Sequence, residues 1–376
     1  VRHKSWLGRL ALTMVAIAVM VVAAIGPTGS ARAAARPDGP ATTATTSFAV
    51  PGELMGVAAV SATNAWAVGL SGGAIGSTIK TLLLHWNGSR WQQVTTPKPV
   101  PGVLYAIAAA SANSVWAVGS EANGTNDGLV IVLHWNGKVW QRVAVPPLAG
   151  TLTSVAASGS QVWATRGNAG FLHLTGGRWY VVPIADTLIT GINGVAMVGG
   201  KTLWATGYVA STASGCLKTK IWGWIDSVWR PVATPLHSGC GTFDAVAAGP
   251  DGTVFVVGEY ASCLNCTVRY VSLWWTGGKW RQVPVVPDAK NGTDFNAVTS
   301  APDGAAWAIS GYDPVLILRW TGKAWRQVPN GKFPTFTSLA AVAATSGGNA
   351  WAVGHYQGAD YVTNTLILHW NGKTWS

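Results

Sequence analysis

Three columns of aromatic residues recur seven times along this 376-residue chain, and they restrict its fold more than any other feature. The first column is Trp66, Trp116, Trp163, Trp204, Phe255, Trp307 and Trp351. The second, with one aliphatic member, is Trp86, Trp135, Leu174, Trp224, Trp275, Trp320 and Trp370. The third is Trp91, Trp140, Trp179, Trp229, Trp280, Trp325 and Trp375. Second and third columns are five residues apart in every unit, and first-column spacings are 50, 47, 41, 51, 52 and 44. The columns absorb 19 of the 22 Trp, so the repeat is not accidental. A period of about 40–50 residues marks an array of identical supersecondary units.

Each unit divides into four strands. The first is small and apolar, as in Gly56-Val57-Ala58-Ala59-Val60 and Ala106-Ile107-Ala108-Ala109, which suits a crowded axis. The second carries the first-column aromatic and stops at Gly69, Gly119, Gly207, Gly258, Gly311 or Gly354. The third is a continuous apolar run such as Leu82-Leu83-Leu84-His85-Trp86. A strand apolar on both faces must be covered on both. Asn87-Gly88, Asn136-Gly137 and Asn371-Gly372 signal the hairpin into the fourth strand. Blades stacked on blades satisfy all of this. The expected fold is therefore all-β, a single seven-bladed β-propeller with four antiparallel strands per blade. Blades are expected at about 55–100, 104–149, 152–187, 191–236, 242–287, 294–335 and 338–376 plus 41–50. A solenoid would need end caps that the sequence does not show.

Ring closure follows from an internal match. The seventh unit stops at Trp375-Ser376, inside its fourth strand, while Ala41–Gly52 aligns without gaps against Trp91–Gly102. An N-terminal strand in the last blade is thus expected to tie the ends together and cover an edge.

Residues 1–35 read as a secretory signal peptide: basic Arg2, His3, Lys4 and Arg9, an apolar run over Leu10–Ile25, then Ala31-Arg32-Ala33-Ala34-Ala35. Residues 36–42 are a linker and 43–376 the propeller. The apolar run is 16 residues, short for a span of about 20. The expected location is extracellular, with association to the cell wall as an option. Losing Arg2, Lys4, Arg9 and Arg32 lowers the formal charge from +11 to +7, which favours anionic wall polymers. Nucleic acid is not expected as a partner, because bases and aromatics are not interleaved and the protein leaves the cytoplasm.

The units resemble, in part, the kelch repeat of galactose-oxidase-like propellers. They resemble more closely the secreted actinobacterial propeller proteins built from W-A-V-G and L-I-L-H-W-N-G-x-x-W units. Where kelch units carry Gly-Gly and Tyr-Asp, this chain has Val-Gly and His-Trp. The resemblance covers about residues 43–376 and implies the fold without an activity, since one fold hosts many functions. Copper-radical chemistry is not implied.

The candidate site is the top face, which carries the loops between strands two and three and the links between blades. Tyr208, Glu259, Tyr260, Tyr312, Asp313, His355 and Tyr356 stand just past the second strands. Aromatics beside carboxylates can stack on sugar C–H faces and accept hydroxyl hydrogen bonds; alternatively, the tyrosines pack the loop bases. Glu53, Glu121 and Asp360 are expected on the same face. On the bottom, Arg90, Lys138, Arg178, Lys279, Lys323 and Lys373 would form a basic ring, either an anchor to acidic polymer or solvated turn residues. His85, His134, His173 and His369 share one repeat position and read as packing residues. Cys216, Cys240, Cys263 and Cys266 fall on one side of two adjacent blades. In an exported chain they favour disulfides, preferentially Cys216–Cys240 with Cys263–Cys266; two other pairings and a four-thiolate zinc site stay open.

No catalytic set, metal site or cofactor emerges. The leading expectation is a monomeric, non-catalytic binding module for an extracellular glycan or protein. The alternatives are a secreted polysaccharide lyase or glycoside hydrolase, which needs a carboxylate pair at a set separation, and a structural envelope protein.

Overall fold

The computed structural model describes residues 48–72, 78–121, 128–184, 190–199, 202–211, 215–236, 239–262, 266–286, 295–311, 315–329, 333–334 and 336–376. Residues 1–42, read above as signal peptide and linker, lie outside the described residues, as do Cys263, Tyr312 and Asp313.

The architecture is a seven-bladed propeller, numbered here in chain order. Blade one holds β1 (Gly52–Ser61), β2 (Asn64–Ser71), β3 (Lys80–Trp86) and β4 (Trp91–Gln93). Blade two holds β5 (Val103–Ser111), β6 (Ser114–Ser120), β7 (Val130–Trp135) and β8 (Trp140–Arg142). Blade three holds β9 (Ser154–Ser158), β10 (Gln161–Thr165), β11 (Phe171–Thr175) and β12 (Arg178–Val182). Blade four holds β13 (Thr190–Val198), β14 (Thr202–Ser211), β15 (Cys216–Ile225) and β16 (Val228–Pro231). Blade five holds β17 (Cys240–Ala248), β18 (Val254–Ala261), β19 (Arg269–Thr276) and β20 (Lys279–Gln282). The short β21 (Val285–Val286) then crosses to blade six, where it lies parallel to the outer strand as a fifth member. Blade six proper is β22 (Phe295–Ser300), β23 (Ala306–Ser310), β24 (Ile317–Trp320) and β25 (Trp325–Gln327). Blade seven is β26 (Ser338–Ser346), β27 (Asn349–Gln357) and β28 (Thr363–Trp370). Within each blade, consecutive strands pair antiparallel from the central channel outward.

The C-terminal residues and the first described segment, 48–51, meet on the outer edge of β28. Ser376 exchanges backbone hydrogen bonds with His369, and Trp375 pairs with Trp370. Farther along the edge, Pro51 pairs with Asn364, and Thr365 N–H donates to the Val50 carbonyl at 2.9 Å. In blade one, Pro101 pairs with Lys80 and Thr81 N–H donates to Val100. The Val-Pro step of the gapless alignment therefore repeats its contacts one turn of the ring away. The outer edge of blade seven is shared between Val50-Pro51 and Trp375-Ser376, and residues 41–47 lie outside the described residues.

The aromatic columns are the cement between blades. Each first-column ring meets the third-column ring of the next blade edge-on: Trp66–Trp140, Trp116–Trp179, Trp163–Trp229, Trp204–Trp280, Phe255–Trp325, Trp307–Trp375 and Trp351–Trp91. Centroids lie 5.2–5.8 Å apart at 67–87°. Such edge-to-face pairs contribute about 0.5–1.5 kcal/mol each beyond their burial. The buried apolar residues likewise gather at blade interfaces: Leu104, Ile107 and Trp140 pack with Trp66 and Val68, while Trp351 and Val353 pack with Leu54 and Trp91. The indole N–H groups of Trp66, Trp116, Trp307 and Trp351 have no hydrogen-bond partner, so the column selects a flat apolar ring, and Phe255 can serve in blade five.

The repeat histidines pack as expected. His85, His134, His173 and His369 stack on Trp66, Trp116, Trp163 and Trp351 at 3.8–4.1 Å. Their Nε2 atoms pair with Asn64, Ser114, Gln161 and Asn349 on the adjacent second strands. Burial holds all four below the usual histidine pKa. With the folded-state value below the unfolded one, stability is complete above about pH 6.5 and falls as acid charges the unfolded chain first. Urea midpoints are therefore expected to stay level at neutral pH and drop between about pH 7 and 5. Replacing the four rings with Gln should flatten that drop; a midpoint that rises on acidification would contradict the account.

The glycine ending the second strand has a steric cause. A Cβ at Gly69, Gly119, Gly207, Gly258 or Gly354 would overlap a carbonyl oxygen of the inner strand, where that strand carries a bulge. Blade six departs from the expected Gly311. Ser310 holds this position, its buried hydroxyl accepting from Leu316 N–H at 2.8 Å, and Gly311 follows it because a side chain there would collide with the Asn296 amide.

Candidate functional site

The top mouth of the channel is built from the first residues of the inner strands and the last of the second strands. In six blades the inner strand bulges one residue after a fully buried side chain. The bulged residues are Met55, Tyr105, Asn193, Asp244, Asn296 and Ala340. Each is partly exposed, whereas the preceding Leu54, Leu104, Ile192, Phe243, Phe295 and Leu339 are 0–1 % exposed. One backbone geometry thus presents a different side chain in nearly every blade.

The four polar ones, Tyr105, Asn193, Asp244 and Asn296, form two polar arcs with Glu53, His355, Thr242 and Tyr208. Around blades seven, one and two, Glu53 Oε2 lies 3.9 Å from Nδ1 of His355 across the closure seam. On its other side stands Tyr105. Burial raises the Tyr105 phenol pKa, a hydrogen bond with Ser120 counteracts this, and the Glu53 charge raises it further. Around blades four to six, Asp244 Oδ1 accepts from the Thr242 hydroxyl at 2.6 Å and from the Asn193 amide at 3.4 Å. Asn193 also donates to the Phe243 carbonyl, and Asn296 to the Leu339 carbonyl, both at 3.0 Å. Each amide ties its inner strand to that of the next blade. Burial, then the Asp244 charge, raises the Tyr208 phenol pKa. Tyr105 and Tyr208 therefore remain neutral donors at physiological pH.

The expected site residues divide by environment. Tyr208 lies over Gly191, which has no side chain to block the ring. Tyr260 rests on Gly239 and packs against the core between blades four and five, and Tyr356 packs against the core of blades six and seven. Glu259 pairs with Thr242 and Tyr270 across the sheet and is partly exposed. His355 belongs to the first arc. Glu121 turns outward to an ion pair with Arg142 at 2.6 Å on the outer strand of its own blade. Asp360 accepts from Val362 N–H in the blade-seven top turn.

Cys216 is bonded to Cys240, joining the start of β15 to the start of β17 across the top of blades four and five. Lys218 Nζ donates to the Gly239 carbonyl beside it at 2.6 Å. Cys266 is disulfide-bonded too. Among the described residues no group of three His, Cys, Asp or Glu is arranged to hold a metal.

On the opposite face, Arg90, Lys138, Arg178, Lys279, Lys323 and Lys373 are all exposed in the outer hairpins. Blade four replaces the cation with Asp226-Ser227, whose positive φ values, 51° and 61°, fit a two-residue hairpin turn. Asp303 accepts from Gly347 N–H at 2.7 Å, linking blades six and seven; this bond leads the influences that lower its pKa.

Tyr105, Asn193, Asp244 and Asn296 were not evident from sequence as site residues. Their signal is the column just before Gly-Val, Ala-Ile or Ala-Val in the first strand, where Met, Tyr, Asn, Asp, Asn and Ala alternate in an otherwise uniform repeat.

No family model and no curated protein sequence matches the chain. Solved propellers match it in shape. A structure described as YCF48 bound to D1 peptide aligns with a TM-score of 0.52 and 14 % identity over 87 % of this chain and 98 % of its own. A GH74 xyloglucanase from Xanthomonas campestris aligns with a TM-score of 0.58 and 17 % identity over 86 % of this chain and 55 % of its own. The WD40 propeller domain of Doa1 gives 0.55 and 12 % over 86 % and 95 %. At these identities the likeness shows the fold alone.

Proposed function

We propose that this chain is an exported, non-catalytic binding propeller that recognises a glycan or protein at its top mouth. The observation carrying this reading is the bulge position: its backbone geometry repeats in six blades while its side chains do not. Side chains that vary on a fixed frame are what ligand recognition requires and blade packing does not. Hydrogen bonds between neighbours hold the polar mouth groups before a ligand arrives, which reduces the ordering cost of binding. The Cys216–Cys240 disulfide fits an oxidising compartment, and the basic apolar leader fits export. Peptide-bound and xyloglucan-hydrolysing proteins among the matching folds are compatible with either ligand class.

The test is an array of glycans, wall polymers and peptides probed with residues 36–376. Wild type should bind without turnover, and a Tyr105→Phe/Asp244→Asn/Tyr208→Phe variant should bind at least about tenfold more weakly. Polymer cleavage abolished by Glu53→Gln would replace this reading with a lyase or hydrolase. Wall association that collapses with salt, on removal of the six hairpin cations alone, would favour the structural envelope reading.

A further inference from the structure

Among the described residues, four non-glycine residues have positive φ. Asp226 and Ser227 form a two-residue hairpin turn that demands it. The other two, Phe336 at 52° and Tyr361 at 63°, are bulky aromatics. They are also the two most exposed large apolar residues described, at 74 % and 82 %. Left-handed backbone is unfavourable for a bulky L-residue, and an exposed ring gains little from folding. Two unfavourable features coincide at both positions, and both lie at the top of blade seven.

Phe336 stands two residues before Ser338, which pairs with His355. Tyr361 sits in the turn joining Gln357 to Thr363. That turn is closed by Gly358 N–H to Val362, Tyr361 N–H to Gly358, and Val362 N–H to the Asp360 carboxylate. Glycine is the usual residue at such a left-handed turn position; here the position projects a phenol ring. Exposed Asp360 adjoins Tyr361 in the chain, partly exposed Gln357 opens the same turn, and the Ser338–His355 pairing leads from the Phe336 segment to the Glu53–His355 pair.

We propose that Phe336 and Tyr361 are the stacking platform of a carbohydrate subsite on blade seven, taking a neutral hexopyranose unit of a glycan chain. This rests on, and narrows, the binding-module reading. A pyranose is apolar on its C–H faces and polar at its rim. Exposed flat rings, with the Asp360 carboxylate next in the chain to one of them and polar Gln357 and His355 on the strand that leads to the same turn, match both parts. Glu53 and Asp360 oppose a uronate, which makes the expected sugar uncharged.

The experiment compares residues 36–376 with a Phe336→Gly/Tyr361→Gly variant and a Phe336→Ala/Tyr361→Ala variant. Probes are neutral cello-, manno- and chito-oligosaccharides, an oligogalacturonate and a peptide library. Calorimetry reads affinity and urea unfolding reads integrity. Wild type is expected to bind a neutral oligosaccharide, and both variants to bind it at least about tenfold more weakly. The glycine variant should also unfold at a higher urea concentration, because glycine accepts the left-handed backbone. Stronger stability with weaker binding separates a ligand platform from a packing role. Equal sugar binding by the variants would overturn the platform and leave the module intact. Binding of peptide or uronate alone would do the same. A lower urea midpoint for the glycine variant would overturn it by showing that the rings pack within the fold. No binding to any probe would overturn both readings.

Discussion

Trp351→Ala is expected to lower the unfolding free energy by about 3–5 kcal/mol, the range for removing a buried indole. Trp351 is 2 % exposed, stacks on His369 at 3.9 Å, and meets Trp91 edge-on at 5.2 Å and Trp86 at 4.9 Å. The two tryptophan contacts join the seventh blade to the first, where the chain enters blade one from Val50-Pro51 on the edge of β28; besides side chains, the Val50–Thr365 and Pro51–Asn364 pairings hold the seam. Hydrogen exchange should rise first in β1 and β27, on the two sides of that seam. Trp351→Phe should cost a fraction as much, since the indole N–H has no partner and blade five uses Phe255 there. A loss below about 1 kcal/mol for the alanine variant would show that the seam does not depend on this ring.

The second large effect concerns the Cys216–Cys240 bond. The two residues are 24 apart in sequence, and loop-closure entropy for that length predicts a contribution of about 3–4 kcal/mol. A Cys216→Ala/Cys240→Ala variant should lose that amount in urea unfolding under oxidising conditions, with Cys266 and its bond left in place. The same change should loosen the tops of blades four and five. There Lys218 bonds to Gly239, and Tyr260 rests on that glycine. Unchanged stability would mean that the reduced chain already holds this loop closed.

The fold was legible because its packing is periodic. Every first-column ring needs a third-column ring in the next blade, so seven repeats of one contact leave seven copies of one signal. The Val50-Pro51 closure was legible for the same reason, as a displaced copy of Val100-Pro101. The mouth was less legible because recognition residues are those that the repeat does not specify. Asp244 and Tyr105 occupy a bulge that no strand periodicity reveals, since one extra residue resets the alternation. Glu121 comes soon after Gly119 as Glu259 does after Gly258, yet Arg142 on the outer strand pairs with it there. Phe336 and Tyr361 escaped notice because glycine, not a bulky aromatic, is the usual marker of a left-handed turn position.

The indole girdle also gives the molecule an optical property. Neighbouring indoles at 5.2 Å and 84–86°, as at Trp66–Trp140 and Trp351–Trp91, are close enough for their excited states to mix and crossed enough for the mixing to be chiral. These couplets should therefore show paired bands of opposite sign in ultraviolet circular dichroism. Excitation absorbed by one indole of a couplet should pass to its partner in the next blade and emerge depolarised. Loss of Trp351 would remove the couplet at the seam of blades seven and one, so its share of that signal would report whether the seam is closed.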